Sequence, residues 1–196
     1  LVINNPDNTL LMNSNFDEIP TDKINGVYEL RSSPIVSVRN PLTGTANFTF
    51  YSNMTTVGSR FNTTVVISHG TDIASWEVRM TYNSTILNAT RAWRPTTDAQ
   101  YIFYGKITNP SPPYFNRSGA VAIGDRAVYA GVSFTSTKKL ATIEFEIISA
   151  PSKRSLCNLD INNSDTYLLD SKVNEIPTTE ISGYYEYIKL ILHDVA

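Results

Sequence analysis

The sequence predicts an all-β protein, a jelly-roll-like β-sandwich of about nine strands with an N-terminal extension. Three observations carry that expectation. Apolar and polar residues alternate with period two in run after run, β-branched and aromatic residues fill those runs, and turn-forming clusters separate them. No window of eleven residues shows a stripe at helical spacing.

The elements follow in chain order. Residues 31–45 read as a linker carrying one short strand, Ile35–Val38. Ala46–Ser52 and Phe61–Ser68 alternate cleanly, and Ser75–Tyr82 sets Trp76, Val78 and Met80 against Glu77, Arg79 and Thr81. Ile86–Trp93, Tyr101–Ile107, Ala120–Ile123 and Ala127–Phe134 are the next expected strands. In Leu140–Ile148, Ile143, Phe145 and Ile147 face one way and Glu144 and Glu146 the other. A last hairpin pairs Thr166–Leu169 with Gly183–Leu192, and Gly183 is expected to supply a positive φ. Asn109–Tyr114 is expected to be a rigid loop, because its prolines cannot join a central ladder.

Bulk properties narrow the function classes. With 196 residues and 41% hydrophobic content, the chain can form one large domain, or one domain plus an arm. A charged fraction of 17% and a net charge of −2 give no basic footprint for nucleic acid. No apolar run approaches the length of a membrane span, and no signal peptide is evident. The start at Leu1 suggests a processed or excerpted chain. Cys157 is the single cysteine, so no internal disulfide forms, and it reads as a small buried residue.

Seven sequons begin at Asn47, Asn53, Asn62, Asn83, Asn88, Asn116 and Asn162. They point to an N-glycosylated extracellular protein; the alternative is that these asparagines only bond within turns. Glycans without disulfides suggest an archaeal cell surface.

The two ends of the chain repeat one another. Ile3-Asn4-Asn5 matches Ile161-Asn162-Asn163, and Leu10-Leu11 matches Leu168-Leu169. After a one-residue slip, Glu18-Ile19-Pro20-Thr21 matches Glu175-Ile176-Pro177-Thr178, Gly26 matches Gly183, and Tyr28-Glu29 matches Tyr185-Glu186. Residues 1–30 are too short to fold alone and are read as an arm that packs elsewhere, through Leu1, Val2, Ile3, Leu10, Leu11 and Met12. The main sandwich is placed at residues 46–196.

Catalytic chemistry finds no foothold. His69 and His193 lack a zinc-type companion, no G-x-S-x-G is present, and Glu144 and Glu146 alternate with core residues. No metal site is assigned. Asp160, Asn162 and Asp165 have oxygen ligands at calcium-loop positions, but the sixth-position glycine and acidic twelfth residue are missing. An Asx-rich turn is the main reading there, and calcium the weaker one.

The order of segments after residue 45 resembles the cohesin-like domains, jelly-roll modules related to carbohydrate-binding modules. The resemblance rests on Thr56-Val57-Gly58-Ser59 before Val65–Ile67, on Trp76–Asn83 with Ile86-Leu87, on Leu140-Ala141-Thr142-Ile143-Glu144-Phe145, and on Leu168–Ser171 with Asn174-Glu175-Ile176-Pro177. It implies the fold and a dockerin partner; no dockerin-contact residue is carried across, because no contact motif matches. Glycans at Asn83 and Asn88 would sit beside a flat strand face and oppose such docking. The Asn- and Thr-rich composition with an extra arm also resembles the subunits of archaeal surface threads and pili joined by donor-strand complementation.

Two non-enzymatic functions follow. One is an N-glycosylated subunit of a cell-surface filament, a homopolymer joined head to tail through its arm. The other is a cohesin-type module of a tandem surface array, recognising a dockerin-like partner or carbohydrate. In the second, residues 1–30 are the tail of the preceding module.

Overall fold

A computed structural model describes Asn15 and residues 33–150, 153–161 and 164–190. The arm residues Leu1, Val2, Ile3, Leu10, Leu11 and Met12, the sequon asparagine Asn162, and His193 lie outside the described residues. The chain divides into units Leu1–Ser32 and Ser33–Ala196, and the second is the one described below.

Among the described residues there are eleven strands and no helix, as the period-two pattern predicts. They are β1 (Ile35–Arg39), β2 (Asn47–Tyr51), β3 (Arg60–Thr81), β4 (Leu87–Trp93), β5 (Ser111–Asn116), β6 (Ala120–Arg126), β7 (Val132–Ile147), β8 (Arg154–Leu159), β9 (Tyr167–Asp170), β10 (Thr179–Ile181) and β11 (Gly183–Ile188). Eight form one sheet and three form another in the order β2-β11-β8.

Strand β3 organises the molecule. Two strands are expected at 61–68 and 75–82, yet the backbone runs unbroken for 22 residues. The sequence pattern misleads because alternation inverts between them. Thr63, Val65 and Ile67 point inward before the inversion, and Trp76, Val78 and Met80 after it. The phase changes at His69 and Asp72, whose φ angles are 59° and 55°, and the register against β7 shifts there. Asp72 is held by three bonds: its N–H donates to Ser133 Oγ (3.0 Å), while its carboxylate accepts from the Ser171 hydroxyl (2.6 Å) and N–H (3.3 Å). One strand thereby serves two layers. Its first half lies between β1 and β7, with β10 beyond β1 and β4 beyond β7. Its second half lies between β6 and β9, with β5 beyond β6.

The three-stranded sheet closes the sandwich. Phe48 and Phe50 of β2 and Tyr185 of β11 meet Phe61 of β3 at ring-centroid distances of 4.9–5.6 Å, and Phe61 stacks on Phe145 of β7 at 5.7 Å. Such offset and tilted aromatic pairs add to the area they bury. Trp76, Val78, Met80, Leu140, Ile143 and Phe145 all join this single core.

Several expectations are corrected. The short strand expected at Ile35–Val38 forms as Ile35–Arg39, but it belongs to the large sheet, with Val36 and Val38 fully buried. Tyr101–Ile107 is a run of turns, with Tyr104 N–H donating to Tyr101 O and Lys106 N–H to Phe103 O. Tyr101, Ile102 and Phe103 are all buried, which alternation in a half-buried strand cannot achieve. The Tyr101 hydroxyl donates to the buried Asp125 carboxylate at 2.5 Å, and burial followed by that carboxylate pushes the phenol well up.

Asp98 pins the same loop through Lys139 Nζ at 2.6 Å, and that bond holds its carboxyl below the ordinary value of 3.8. A carboxyl depressed on folding stabilises fully above its unfolded value, and the contribution is lost as pH falls through the lower folded value. Asp98→Asn is therefore expected to lower stability at neutral pH and to flatten the acid side of the stability–pH curve below about pH 4. Urea unfolding at pH 3 and pH 7 measures the difference, and an equal loss at both values would contradict it.

The segment expected as a proline loop is instead the edge strand β5. It pairs with β6 alone, and its register shifts between Ser111 and Tyr114, across Pro112 and Pro113. Ala127–Phe134 is not one strand: β6 runs on to Arg126, the chain bends at Val128 and Tyr129, and β7 starts at Val132. The last hairpin does not form either. Strand β9 pairs with β3, while β11 lies between β8 and β2. Strand β8 escapes the sequence reading because Leu156 points out and Cys157 and Leu159 point in, so its apolar residues do not alternate. Gly183 has no positive φ. A Cβ there would sit 2.7 Å from Val38 Cγ1 and 3.2 Å from Phe48, so this position requires glycine for space.

Candidate binding face

Alternation on the second half of β3 turns Ser75, Glu77 and Arg79 outward, and the flanking registers decide their neighbours. Glu77 lies beside Tyr167 of β9 and Gly124 of β6; Arg79 lies beside Ala122, which pairs with Tyr114 of β5. The Tyr167 hydroxyl donates to Glu77 Oε2 at 3.3 Å, and Arg79 pairs with Asp165. Burial and then the Glu77 charge push the Tyr167 phenol up.

These side chains line a hollow of about 350 Å³. Tyr167 also borders a second hollow of about 350 Å³ formed with Leu169, Arg126, Tyr129 and Val173. The two make one shallow trough along β5, β6, β3 and β9. Its rim carries exposed aromatics and aliphatics: Tyr129 is 83% exposed, Val173 61% and Tyr114 57%. Aromatic rings over polar neighbours suit protein recognition, because they offer large contact area at low entropic cost.

A larger groove of about 470 Å³ lies on the opposite layer, over Ile35, Ser37, Arg39, Thr64, Val66 and Lys139. The distribution of sequons separates the two surfaces. Asn62 of β3 and Asn88 of β4 sit opposite Glu144 and Glu146 of β7, exposed on the layer that holds the larger groove. Asn47 is exposed on β2, Asn53 follows it, and Asn83 lies in the turn after β3. Asn116 is half-buried at the end of β5. Strands β6 and β9 and the second half of β3 carry none. Turn bonding accounts for Asn83, whose Oδ1 accepts from the Thr85 hydroxyl and N–H, and for Asn116, which accepts from Ser118 N–H. It gives no reason for the exposed strand positions 47, 62 and 88. The expected clash between glycans at Asn83 or Asn88 and a docking face does not arise for the trough, since neither residue lies on it.

The weak calcium reading gains nothing from the geometry. Asp160 accepts from the Ser182 hydroxyl at 2.6 Å, Asp165 pairs with Arg79, and Asn162 is outside the described residues. Among the described residues no three His, Cys, Asp or Glu side chains converge as a metal site, and no helix is long and apolar enough to cross a membrane. Glu144 and Glu146 share Arg60 at 3.3 Å each on the outer face, and His69 sits at the β3 inversion. Cys157 is buried, accepts from Asn83 N–H at 3.1 Å, and has its thiol pushed up by burial.

No protein-family model matches the chain, and no curated protein does. Solved structures do. The cohesin of a type I cohesin–dockerin complex from Clostridium thermocellum superposes with a TM-score of 0.57 at 12% identity, over 80% of this chain and 100% of that one. The third ScaC cohesin of Acetivibrio cellulolyticus, solved with a ScaB dockerin, gives 0.55 at 16% identity over 79% and 99%. A non-cellulosomal cohesin of the archaeon Archaeoglobus fulgidus gives 0.53 at 10% identity over 80% and 92%.

The fold is cohesin-like. The cohesin-like sandwich confirms the resemblance drawn from the strand motifs, and at these identities the likeness concerns architecture alone. The trough residues Tyr114, Tyr129 and Tyr167 were not singled out from sequence. The only signal for them is the outward phase of 75–79, and identifying Tyr167 as the neighbour of Glu77 requires a pairing across 90 residues.

Proposed function

We propose that the protein is a non-enzymatic extracellular binding module that holds a protein partner of the dockerin type in the trough of β5, β6, β3 and β9. The observation that carries this reading is the contrast between the two layers. The trough is rimmed by exposed aromatics and none of the residues lining its two hollows is a sequon asparagine, Asn116 standing at the far end of β5, while the larger groove shares its face with Asn62 and Asn88. Glycans on one layer would direct partners to the other. Titration calorimetry against a panel of dockerins tests it. Tyr167→Ala with Arg79→Glu is expected to weaken the best binder by at least about 30-fold, as loss of a central aromatic anchor does, whereas Val66→Arg in the other groove leaves it unchanged. Absence of any dockerin binding, or the reverse pattern of effects, would sink this reading.

A second reading is favoured by the repeat of residues 159–188 at the N-terminus. In it, N-glycosylated copies join head to tail through the arm into a cell-surface filament, with Leu1, Val2, Ile3, Leu10, Leu11 and Met12 as contact residues and N-linked glycans at the seven sequons, Asn162 included. Apolar segments too short to form a core of their own need a partner edge or groove. Deleting residues 1–30 is expected to abolish long polymers in electron micrographs; polymers that persist without the arm would refute it.

A further inference from the structure

The repeat becomes more specific once the second copy is seen folded. Residues 159–188 are the closing ribbon of the sandwich: the end of β8, then β9 on β3, β10 parallel to β1, and β11 between β8 and β2. The arm keeps most of the apolar positions this ribbon buries, while buried Thr166 becomes Asn8. Leu159, Ile161, Leu168 and Tyr185 are fully buried, and Leu1, Ile3, Leu10 and Tyr28 repeat them. Ile176 packs against the core and recurs as Ile19; Gly183, where a side chain has no room beside Val38, recurs as Gly26. Buried Tyr187 becomes the apolar Leu30. Positions facing outward are mixed: Asp165, Glu175, Pro177 and Ile181 recur as Asp7, Glu18, Pro20 and Ile24, whereas Tyr167, Thr179, Glu180, Ser182 and Tyr184 are replaced by Thr9, Asp22, Lys23, Asn25 and Val27. Retention of the apolar core positions and of the glycine that has no room for a side chain is what a segment fitted to the same slot requires.

The arm cannot reach that slot in its own sandwich. In register, Arg31 would occupy the place of Ile188, which lies beside Tyr51, and the chain must then return to Ile35, which lies beside Thr179. These points are the two ends of a ten-residue ribbon that passes from one sheet to the other at Ser182, roughly 20–30 Å apart at strand rise. The four steps from Arg31 to Ile35 span at most about 14 Å. We propose that residues 1–30 are a second closing ribbon, matched residue by residue to the β9–β11 slot of another copy of this chain. In an intact copy the resident ribbon holds the slot with the advantage of its tether. The arm therefore enters where that ribbon is displaced, an exchange of equivalent elements between copies. This deepens the second reading above by naming the acceptor and its register.

Two full-length proteins test it. In the first, residues 159–187 are replaced by the sequence of residues 1–30. It is expected to unfold cooperatively, with a midpoint within about 10 °C of the parent, and to lose that transition when the grafted copy of Tyr28 is changed to Asp. In the second, Gly183→Val blocks the resident ribbon and Tyr28→Cys places a thiol where the acceptor's Cys157 faces the β11 slot, since Cys157 and Tyr185 are register partners. Mild oxidation is expected to give a ladder of intermolecular cross-links, abolished by Cys157→Ser and by Gly26→Val. A graft that fails to fold, an absent ladder, or cross-links confined to single chains each overturn the proposal. The filament reading is judged separately by arm deletion in the unmodified protein, so a folded graft with unchanged polymers would reject the filament and keep the ribbon.

Discussion

Gly183→Val is expected to remove about 3 kcal/mol or more from the folded monomer and to lower its thermal midpoint by roughly 10 °C. Glycine is required here by proximity. An added Cβ would fall 2.7 Å from Val38 Cγ1 and 3.2 Å from the Phe48 ring, both in the buried core. Neither neighbour can withdraw cheaply, because Val38 is locked in β1 between β10 and β3, and Phe48 is held against Phe61. The strain falls where β10 passes into β11, at the crossing from the large sheet to the small one. A loss of this size is a large share of the roughly 5–15 kcal/mol that holds a domain together. Dilute-solution denaturant titration reads it directly, and a change below 1 kcal/mol would mean that the sheets have room to part.

Phe145→Ala is expected to cost about 3–5 kcal/mol, the usual range for deleting a buried aromatic ring. Phe145 is fully buried, stacks on Phe61 at 5.7 Å and meets Tyr82 edge-on at 5.0 Å. Its removal leaves a cavity in the seam that joins the small sheet to the first half of β3. Ordered strands on every side prevent the cavity from closing. The trough residues stand on other strands, so partner binding by the fraction that remains folded should be unchanged. Calorimetric unfolding measures the first effect and titration the second. A stable variant that lost binding would place Phe145 in the binding apparatus and contradict this account.

Legibility of the fold varied with how far each interaction reaches along the chain. Alternation within β2, β4 and β6 and the last half of β7 is a local pattern, and those strands lie where period two places them. Three of the misread elements show why. Strand β3 looks like two because the inversion at His69–Asp72 resets its phase, a kink fixed by Ser133 and Ser171 from distant parts of the chain. Tyr101–Phe103 looks like a strand, yet it is folded into turns by Asp125 and Lys139. Strand β8 looks irregular because Leu156 is on the outside. The trough suffers the same limit. Glu77 and Arg79 show their outward phase in sequence, but Tyr114, Tyr129 and Tyr167 arrive from strands and bends whose pairing no local pattern states.

By itself the sequence determined the all-β class, the cohesin-like order of its strand motifs, the positions of the sequons and the duplication of the two ends, because each is written in local spacing or identity. Only the tertiary structure decided which layer carries Asn62 and Asn88, and that the C-terminal copy of the repeat closes the sandwich through β9, β10 and β11. The physical reason is register. Which strand pairs with which, and which end of a ribbon lies beside which residue, is set by contacts 137 to 144 residues apart, between β1 or β2 and the β10–β11 ribbon. Burial assigns those contacts when the whole sandwich closes at once.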